Sequence, residues 1–200
     1  MTGVTGAIIA GGSASRLAGR PKGLEIVDGA RIIDRVAGVL RSHCERLLIA
    51  PGSLDATGWL RDAVVAPDVL PVKASITGIH AAITAATGDV VAVAWDMPFV
   101  SSALIAALIG RLGQNASAVV PIIDGKPEPL CAAYSKRAAE AIGAAVKAGT
   151  LKNSDVLARL PNVVWIEEAE LRRFGDPAVM FFNVNTPMDL AKAEEIALGM

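Results

Sequence analysis

Short apolar runs that stop abruptly at glycine, proline or aspartate alternate with amphipathic helical stripes along this chain, and that alternation constrains the fold more than any other feature. Ala7-Ile8-Ile9-Ala10 ends in Gly11-Gly12, Leu47 to Ala50 in Pro51-Gly52, Val64 to Ala66 in Pro67-Asp68, and Val90 to Ala94 in Trp95-Asp96-Met97-Pro98. Runs of this length bounded by turn residues read as buried strands. Between them lie helical stripes: Ile32, Val36, Val39 and Leu40; Ile79, Ala82, Ile83 and Ala86; then Leu104, Ile105, Leu108 and Leu112 behind a cap at Ser101 or Ser102. Val119 to Ile123 and Leu130 to Tyr134 read as a strand pair around Asp124-Gly125. Helices follow over Lys136 to Ala148 and through Val156, Leu157 and Leu160. Val163 to Ile166 and Met180 to Val184 read as late strands, and Pro187 opens a final helix over Leu190 to Leu198. Strands alternating with helices imply right-handed βαβ units. The expected fold is α/β: a Rossmann-like, doubly wound, mostly parallel sheet in a three-layer α/β/α arrangement.

Composition agrees with that expectation. The chain has 200 residues, suiting a single domain over 1–200, and a chain of this length buries roughly 70 % of the surface its unfolded form exposes. It is 52 % hydrophobic but only 4 % aromatic, the Ala, Val, Ile and Leu material of a parallel sheet covered by helices. The formal charge is −1, without a basic stripe, which argues against nucleic acid as a partner. Arg16, Arg20 and Lys22 gather beside the glycine-rich stretch and suit a small anionic ligand. Cys44 and Cys131 have no metal-ligand spacing and read as core thiols. The opening Met1-Thr2-Gly3-Val4 lacks a charged segment followed by a long apolar one. The expectation is a soluble, cytoplasmic protein with no membrane partner.

In an open α/β sheet, ligands bind beyond the carboxyl ends of the strands. Ala10, Gly11, Gly12, Ser13, Ala14, Ser15 and Arg16 follow the first strand, Asp68 the third, Asp96 the fourth, and Asn183 and Asn185 a late one. Glycines let a loop turn its N–H groups toward phosphate oxygens, and Arg16, Arg20 and Lys22 add positive charge. The loop matches neither the P-loop signature nor the dinucleotide fingerprint. Asp96 supplies a hard oxygen donor of the kind Mg²⁺ takes together with phosphate and water. His43 and His80 fall on helical segments and read as packing or surface residues.

At these residues a resemblance enters. Ala10-Gly11-Gly12-Ser13-Ala14-Ser15-Arg16-Leu17 with Lys22-Gly23-Leu24 resembles the signature Leu-Ala-Gly-Gly-x-Ser-x-Arg-Met-Gly-x-Asp-Lys-x-Leu of the molybdenum cofactor guanylyltransferases. That family sits in the superfamily of sugar-1-phosphate nucleotidylyltransferases and the methylerythritol cytidylyltransferase, with the nucleotide-diphospho-sugar transferase fold. Asp68 ahead of Ala74-Ser75-Ile76-Thr77-Gly78, Asp96-Met97-Pro98-Phe99 and Phe182-Asn183-Val184-Asn185-Thr186-Pro187 fit in order, and Glu128-Pro129-Leu130-Cys131 resembles the family's central acceptor-side segment. Three positions depart from the pattern: Pro21 replaces an Asp, Ala50 an Asn found in some members, and Ala74-Ser75-Ile76 a Gly-Pro-Leu.

The resemblance implies transfer of GMP from GTP to molybdopterin, or to its metal-loaded form, with Mg²⁺ and release of pyrophosphate. Ala10, Gly11, Gly12 and Ser13 would cradle the nucleotide, Lys22 and Arg16 contact its phosphates, Asp68 help bind it and Asp96 hold the metal. Asn183 and Asn185 would lie near the metal or the acceptor phosphate. Gly11-Gly12, where cytidylyltransferase relatives usually show Ala-Ala, favours GTP over CTP. Metal-insertion proteins and apo-molybdoenzymes are the macromolecular partners such an activity implies. The alternatives on the same fold are a cytidylyltransferase, a sugar-phosphate nucleotidylyltransferase, or a nucleotide-binding homologue without turnover.

Overall fold

A computed structural model describes residues 3–10, 16–17, 20–113 and 115–200. Among them, eight strands form the main sheet: β1 (Thr5–Ile9), β2 (Arg46–Ala50), β3 (Ala63–Val65), β4 (Val90–Ala94), β5 (Ala118–Ile123), β6 (Lys126–Pro127), β7 (Cys131–Tyr134) and β8 (Val163–Ile166). The order is β6-β5-β7-β4-β1-β2-β3, with β8 also on β5. Pairing of β1 with β2 and β4, of β2 with β3, and of β5 with β8 is parallel. β7 runs antiparallel between β4 and β5, matching Cys131 to Val93 and Tyr134 to Ala118. The expected strand pair therefore exists, but its second strand is wedged into the middle of the sheet rather than added to its edge.

Eight α-helices are described: α1 (Ile32–Arg41), α2 (Ser75–Ala85), α3 (Ser102–Leu112), α4 (Ala138–Lys147), α5 (Asn153–Leu157), α6 (Glu168–Leu171), α7 (Pro177–Met180) and α8 (Pro187–Leu198). Alternation along β1 decides which face each side chain serves. Ile8 joins Ile49, Val91 and Val93 under α1 and α3. Ala7 and Ile9 join Leu48, Val90 and Ala92 under α2 and α4. Two apolar layers thus cover one sheet, the three-layer α/β arrangement expected. Lys136 closes the end of α2, its ammonium donating to the carbonyls of Ile83, Thr84 and Ala86 at 2.7, 2.8 and 2.8 Å. Ser101 caps α3 by accepting from Leu104 N–H, and Thr186 caps α8 with Pro187 in its first turn.

One expected strand is absent. Met180 to Val184 is apolar enough for a strand, yet Asp176 caps a helical turn whose first residue is Pro177, and the chain leaves α7 at Phe181 in irregular structure. Val184 N–H then donates to the Asp96 carbonyl at 2.9 Å, so the segment crosses the end of β4 without entering the sheet. Of the two histidines, His80 lies buried in α2, whereas His43 sits in the turn after α1 with Nε2 2.7 Å from Ser102 Oγ. Among the described residues no helix is long and apolar enough to cross a membrane.

Candidate active site

The carboxyl end of β4 gathers the chemistry. Its last residues are held on both sides: Ala94 N–H donates to the Leu130 carbonyl at 2.7 Å, and Trp95 N–H to the Ile9 carbonyl at 3.2 Å. The Trp95 ring stacks on Trp59 with centroids 5.2 Å apart, so Asp96 emerges from a rigid platform. A short turn, Lys22–Leu24, packs on that platform through Gly23. A Cβ on Gly23 would lie 2.6 Å from Trp95 Cε3, so only glycine lets the turn come this close. Lys22 is thereby pressed into the site with only 3 % of its side chain exposed. Its ammonium stands 3.8 Å from Asp96 Oδ2 and donates to Asn185 Oδ1.

Asn185 is positioned from the other end of the chain. Its own N–H donates to Asp189 Oδ2 at 3.0 Å, in the capping box that starts α8. That N–H, then the Thr186 hydroxyl and N–H, hold the Asp189 carboxyl below the usual range, with help from Lys22. Asn183 instead turns back on its own segment, donating to the Phe181 carbonyl at 3.0 Å. Lys22, Asp96 and Asn185 therefore meet, while Asn183 stands beside them in a supporting turn.

Ala10 is fully buried, and its N–H donates to the Ala50 carbonyl at 2.9 Å. With its N–H committed and its methyl in the core, Ala10 fixes the root of the glycine loop and has no donor left for a phosphate. Gly11, Gly12 and Ser13 lie outside the described residues, as does the side chain of Arg16. Asp68 follows β3 and lines a hollow of about 250 Å³ with Gly52, Ser53 and Lys73. Its Oδ1 is buried and has no hydrogen-bond partner among the described residues, and burial pushes its carboxyl above the usual range. An acceptor in that condition is costly unless a ligand supplies a donor.

The three departures from the signature have local accounts. Pro21, at φ −60°, leads into the Lys22–Leu24 turn with the backbone already preset. Ala74 precedes α2 and has no capping side chain, and the Thr77 hydroxyl turns back on it, accepting from the Ala74 N–H at 3.4 Å and donating to the Ala74 carbonyl at 2.7 Å. Ala50 is core, and Gly78 above it brings α2 to within 3.1 Å of Ile9 for a built Cβ.

Glu128 belongs to this site although the strand-end argument passed over it, because it precedes an antiparallel strand rather than following a parallel one. Its Oε1 accepts from Leu130 N–H at 3.0 Å. Burial raises the Glu128 carboxyl above the ordinary range, the Leu130 N–H opposes this, and the Asp96 charge raises it further. Asp96 is likewise raised by burial, against the pull of Lys22 and a backbone hydrogen bond. Among the described residues, Asp96 and Glu128 bring more negative charge to the site than Lys22 balances. Among the described residues no group of three or more His, Cys, Asp or Glu is placed to hold a metal alone. Magnesium is commonly bound through one or two carboxylates with waters and substrate phosphates completing the shell, and an under-compensated Asp96 fits that donor set.

This imbalance is testable through Glu128→Gln, which keeps an oxygen for Leu130 N–H and removes the charge. A carboxyl whose folded pKa is raised above its ordinary value, about 4.5, contributes stability that is fully present below that pH and lost as pH rises through the raised value. At pH 7 the variant should therefore be more stable by about 0.5–2 kcal/mol, the usual yield of relieving one unfavourable charge. That corresponds to melting higher by roughly 2–4 °C per kcal/mol, and the two proteins should converge toward pH 4.5. Equal melting temperatures at pH 7 in scanning calorimetry would contradict the electrostatic account.

Comparison with known proteins follows the same lines. Residues 6–163 match the family model described as the MobA-like NTP transferase domain. A molybdenum cofactor guanylyltransferase of Desulfosudis oleivorans is 37 % identical over 196 residues, covering 97 % of this chain and 96 % of that protein. The crystal structure of molybdopterin-guanine dinucleotide biosynthesis protein A from Archaeoglobus fulgidus is 32 % identical, with a TM-score of 0.80, covering 98 % of this chain and all of the other. The 2-C-methyl-D-erythritol 4-phosphate cytidylyltransferase of Thermus thermophilus, 19 % identical with a TM-score of 0.68, covers 96 % of this chain and 98 % of its own, a likeness of fold.

Proposed function

The chain belongs to the MobA-like NTP transferase family, and on that premise we propose that it transfers GMP from GTP to the phosphate of molybdopterin, releasing pyrophosphate. The observation that carries the chemistry is the convergence of Lys22, Asp96 and Asn185 at the end of β4. The resemblance to the D. oleivorans guanylyltransferase supports the choice of base and acceptor.

The acceptor phosphate oxygen attacks the α-phosphorus in line. A P–O bond forms there as the bond to the bridging α–β oxygen breaks, and pyrophosphate leaves with that electron pair. The nucleophile is already an anion near neutral pH, so no side chain has to remove a proton. The protein's part is alignment and charge balance, and alignment of two bound reactants can contribute roughly 7–11 kcal/mol. Lys22, anchored by Asn185, offers a fixed ammonium to the phosphates. Asp96 would hold Mg²⁺, which when bound neutralises phosphate charge. Asp68 offers its orphaned oxygen to donors of the nucleotide, and glycine at positions 11 and 12, where cytidylyltransferases usually show Ala-Ala, favours a purine.

Pyrophosphate release from GTP and from CTP, each with molybdopterin, tests the assignment. The expected result is a preference for GTP of at least about tenfold in kcat/KM, the scale on which one or two methyl groups discriminate. Turnover should cease on chelation and return with Mg²⁺. Equal use of both triphosphates would defeat the guanine assignment, and preference for CTP would move the protein to the cytidylyltransferases.

A further inference from the structure

The connection from β2 to β3 touches two parts of the site that lie apart in the sequence. Its first residues, Gly52 and Ser53, line the hollow that holds Asp68. Six residues past Ser53 the same connection delivers Trp59 to the ring of Trp95, the neighbour of Asp96 in the chain. One stretch of backbone therefore borders both the hollow and the platform under Asp96.

That stretch is held along its length. Leu54 N–H donates to the Pro51 carbonyl and Trp59 N–H to the Ala56 carbonyl, both at 3.1 Å. Ala56, Trp59 and Leu60 are buried in the cluster that contains Trp95 and Met97. The two indole rings lie 19° from parallel, a stacked geometry that attracts beyond what burial alone supplies.

A second hold comes from the segment that carries Lys22. The Trp59 carbonyl accepts from Arg31 Nη2 at 2.9 Å, and Asp34 fixes that guanidinium, accepting from its Nε at 2.6 Å and its Nη2 at 2.8 Å. Between Lys22 and Arg31 the backbone is tied to itself. Ile26–Val27 pairs with Ala30–Arg31, and Ile32 N–H donates to the Glu25 carbonyl at 2.9 Å. The segment thus grips the tryptophan pair twice, through Gly23 on the Trp95 ring and through Arg31 on the Trp59 carbonyl. Unbroken runs of packed side chains and hydrogen bonds are what carry coupling between sites.

We propose that Trp59 is a positioning residue for the transfer: it links the hollow at Asp68 to Lys22 and Asp96, so that a nucleotide seated in the hollow draws the reacting groups into place. The proposal rests on the reading that GTP occupies that hollow. Trp59→Leu keeps an apolar side chain but loses the stack, and Trp59→Phe keeps a ring. Arg31→Met, at a side chain 36 % exposed, frees the Trp59 carbonyl without entering the core. In Trp59→Leu, kcat for pyrophosphate release should fall about tenfold or more, short of the roughly hundredfold that a 1 Å misplacement can cost, while the KM for GTP stays within about twofold. Trp59→Phe should recover most of that loss, and Arg31→Met should lower kcat in the same sense by less. Wild-type kcat in a folded but less stable Trp59→Leu protein, or a phenylalanine no better than the leucine, would reduce Trp59 to packing and overturn the proposal. Should the leucine variant not fold, wild-type kcat in Arg31→Met overturns it.

An arm without turnover reads the pair directly. The chain has three tryptophans, and Trp165 stands 39 % exposed on β8, so in a Trp165→Phe background the emission comes from the stacked pair alone. GTP should shift this emission saturably, with the midpoint that calorimetry gives for binding. The shift should be lost in Arg31→Met while GTP still binds. Unchanged emission with GTP bound, or a shift that survives Arg31→Met, overturns the proposal. If the wild-type protein binds GTP but releases no pyrophosphate with molybdopterin, the guanylyltransferase reading fails, and the emission alone decides the role of Trp59. Calorimetry that finds no GTP binding would sink the nucleotide reading first, and the proposal with it.

Discussion

Asp96→Ala is expected to lower kcat by at least about a hundredfold, the cost of losing one strong transition-state contact. The carboxylate sits on a platform held by Ile9, Leu130 and the Trp59–Trp95 stack, none of which uses its side chain, so the fold should survive the change. Lys22 keeps the Asn185 oxygen as a partner in the variant. Asp96→Asn, close to isosteric, should lose nearly as much turnover, because the charge rather than the shape is what a cation and phosphates respond to. Steady-state pyrophosphate release measures both. An alanine variant that retains more than about a tenth of wild-type turnover would remove Asp96 from the reaction.

Gly23→Ala is the second large effect, and it comes from a residue that carries no chemistry. The added methyl would lie 2.6 Å from Trp95 Cε3 and 3.1 Å from the Trp95 carbonyl oxygen. Trp95 cannot yield easily, since Trp59 stacks on its ring and Ile9 holds its N–H. The Lys22–Leu24 turn must move instead, taking Lys22 away from Asp96 and Asn185. Overpacking of this kind costs about 1–3 kcal/mol of stability. A displacement near 1 Å in a catalytic group can cost about a hundredfold in rate. Chemical denaturation and kinetics together check the prediction; full activity with unchanged stability would mean that the turn is not set by its contact with Trp95.

Much of this architecture is legible in the sequence because local pattern and tertiary position coincide. Val90 to Ala94 is a continuous apolar run because it is the inner strand β4, buried on both faces. Pro187 marks a helix start because a first-turn proline has no hydrogen bond to lose. Where the two diverge, the pattern misleads. Met180 to Val184 has strand-like residues, but the cap at Asp176 and Pro177 winds its start into a helix, and its end is pinned across β4. The insertion of β7 between β4 and β5 is invisible locally, since a hairpin and a strand that skips a neighbour have the same residue pattern. Glu128 escaped the strand-end argument for that reason, and only the family resemblance named its segment. Lys22 drew notice in the sequence as a cation beside the glycine-rich stretch, whereas its burial depends on Gly23 meeting a tryptophan far along the chain. Asp68, Asp96 and Asn185 occupy the sheet edge that strand-end reasoning picked out, while Ala10 proves to be the loop's anchor.

The distance in sequence between Lys22 and Asn185, 163 residues, has a consequence for how the protein comes into being. During synthesis the glycine loop and Lys22 leave the ribosome first, and β1, β2 and β4 can assemble soon afterwards. The free edge of β4 then waits for β7, a delay of several seconds at about 5–20 residues per second. Asn185 arrives only as the last helix is being made. A chain cut short before that point has Lys22 but not the residue that anchors it. Nascent and truncated products should therefore be inert rather than half-active, and a cell would be spared fragments that consume triphosphate without delivering it to an acceptor.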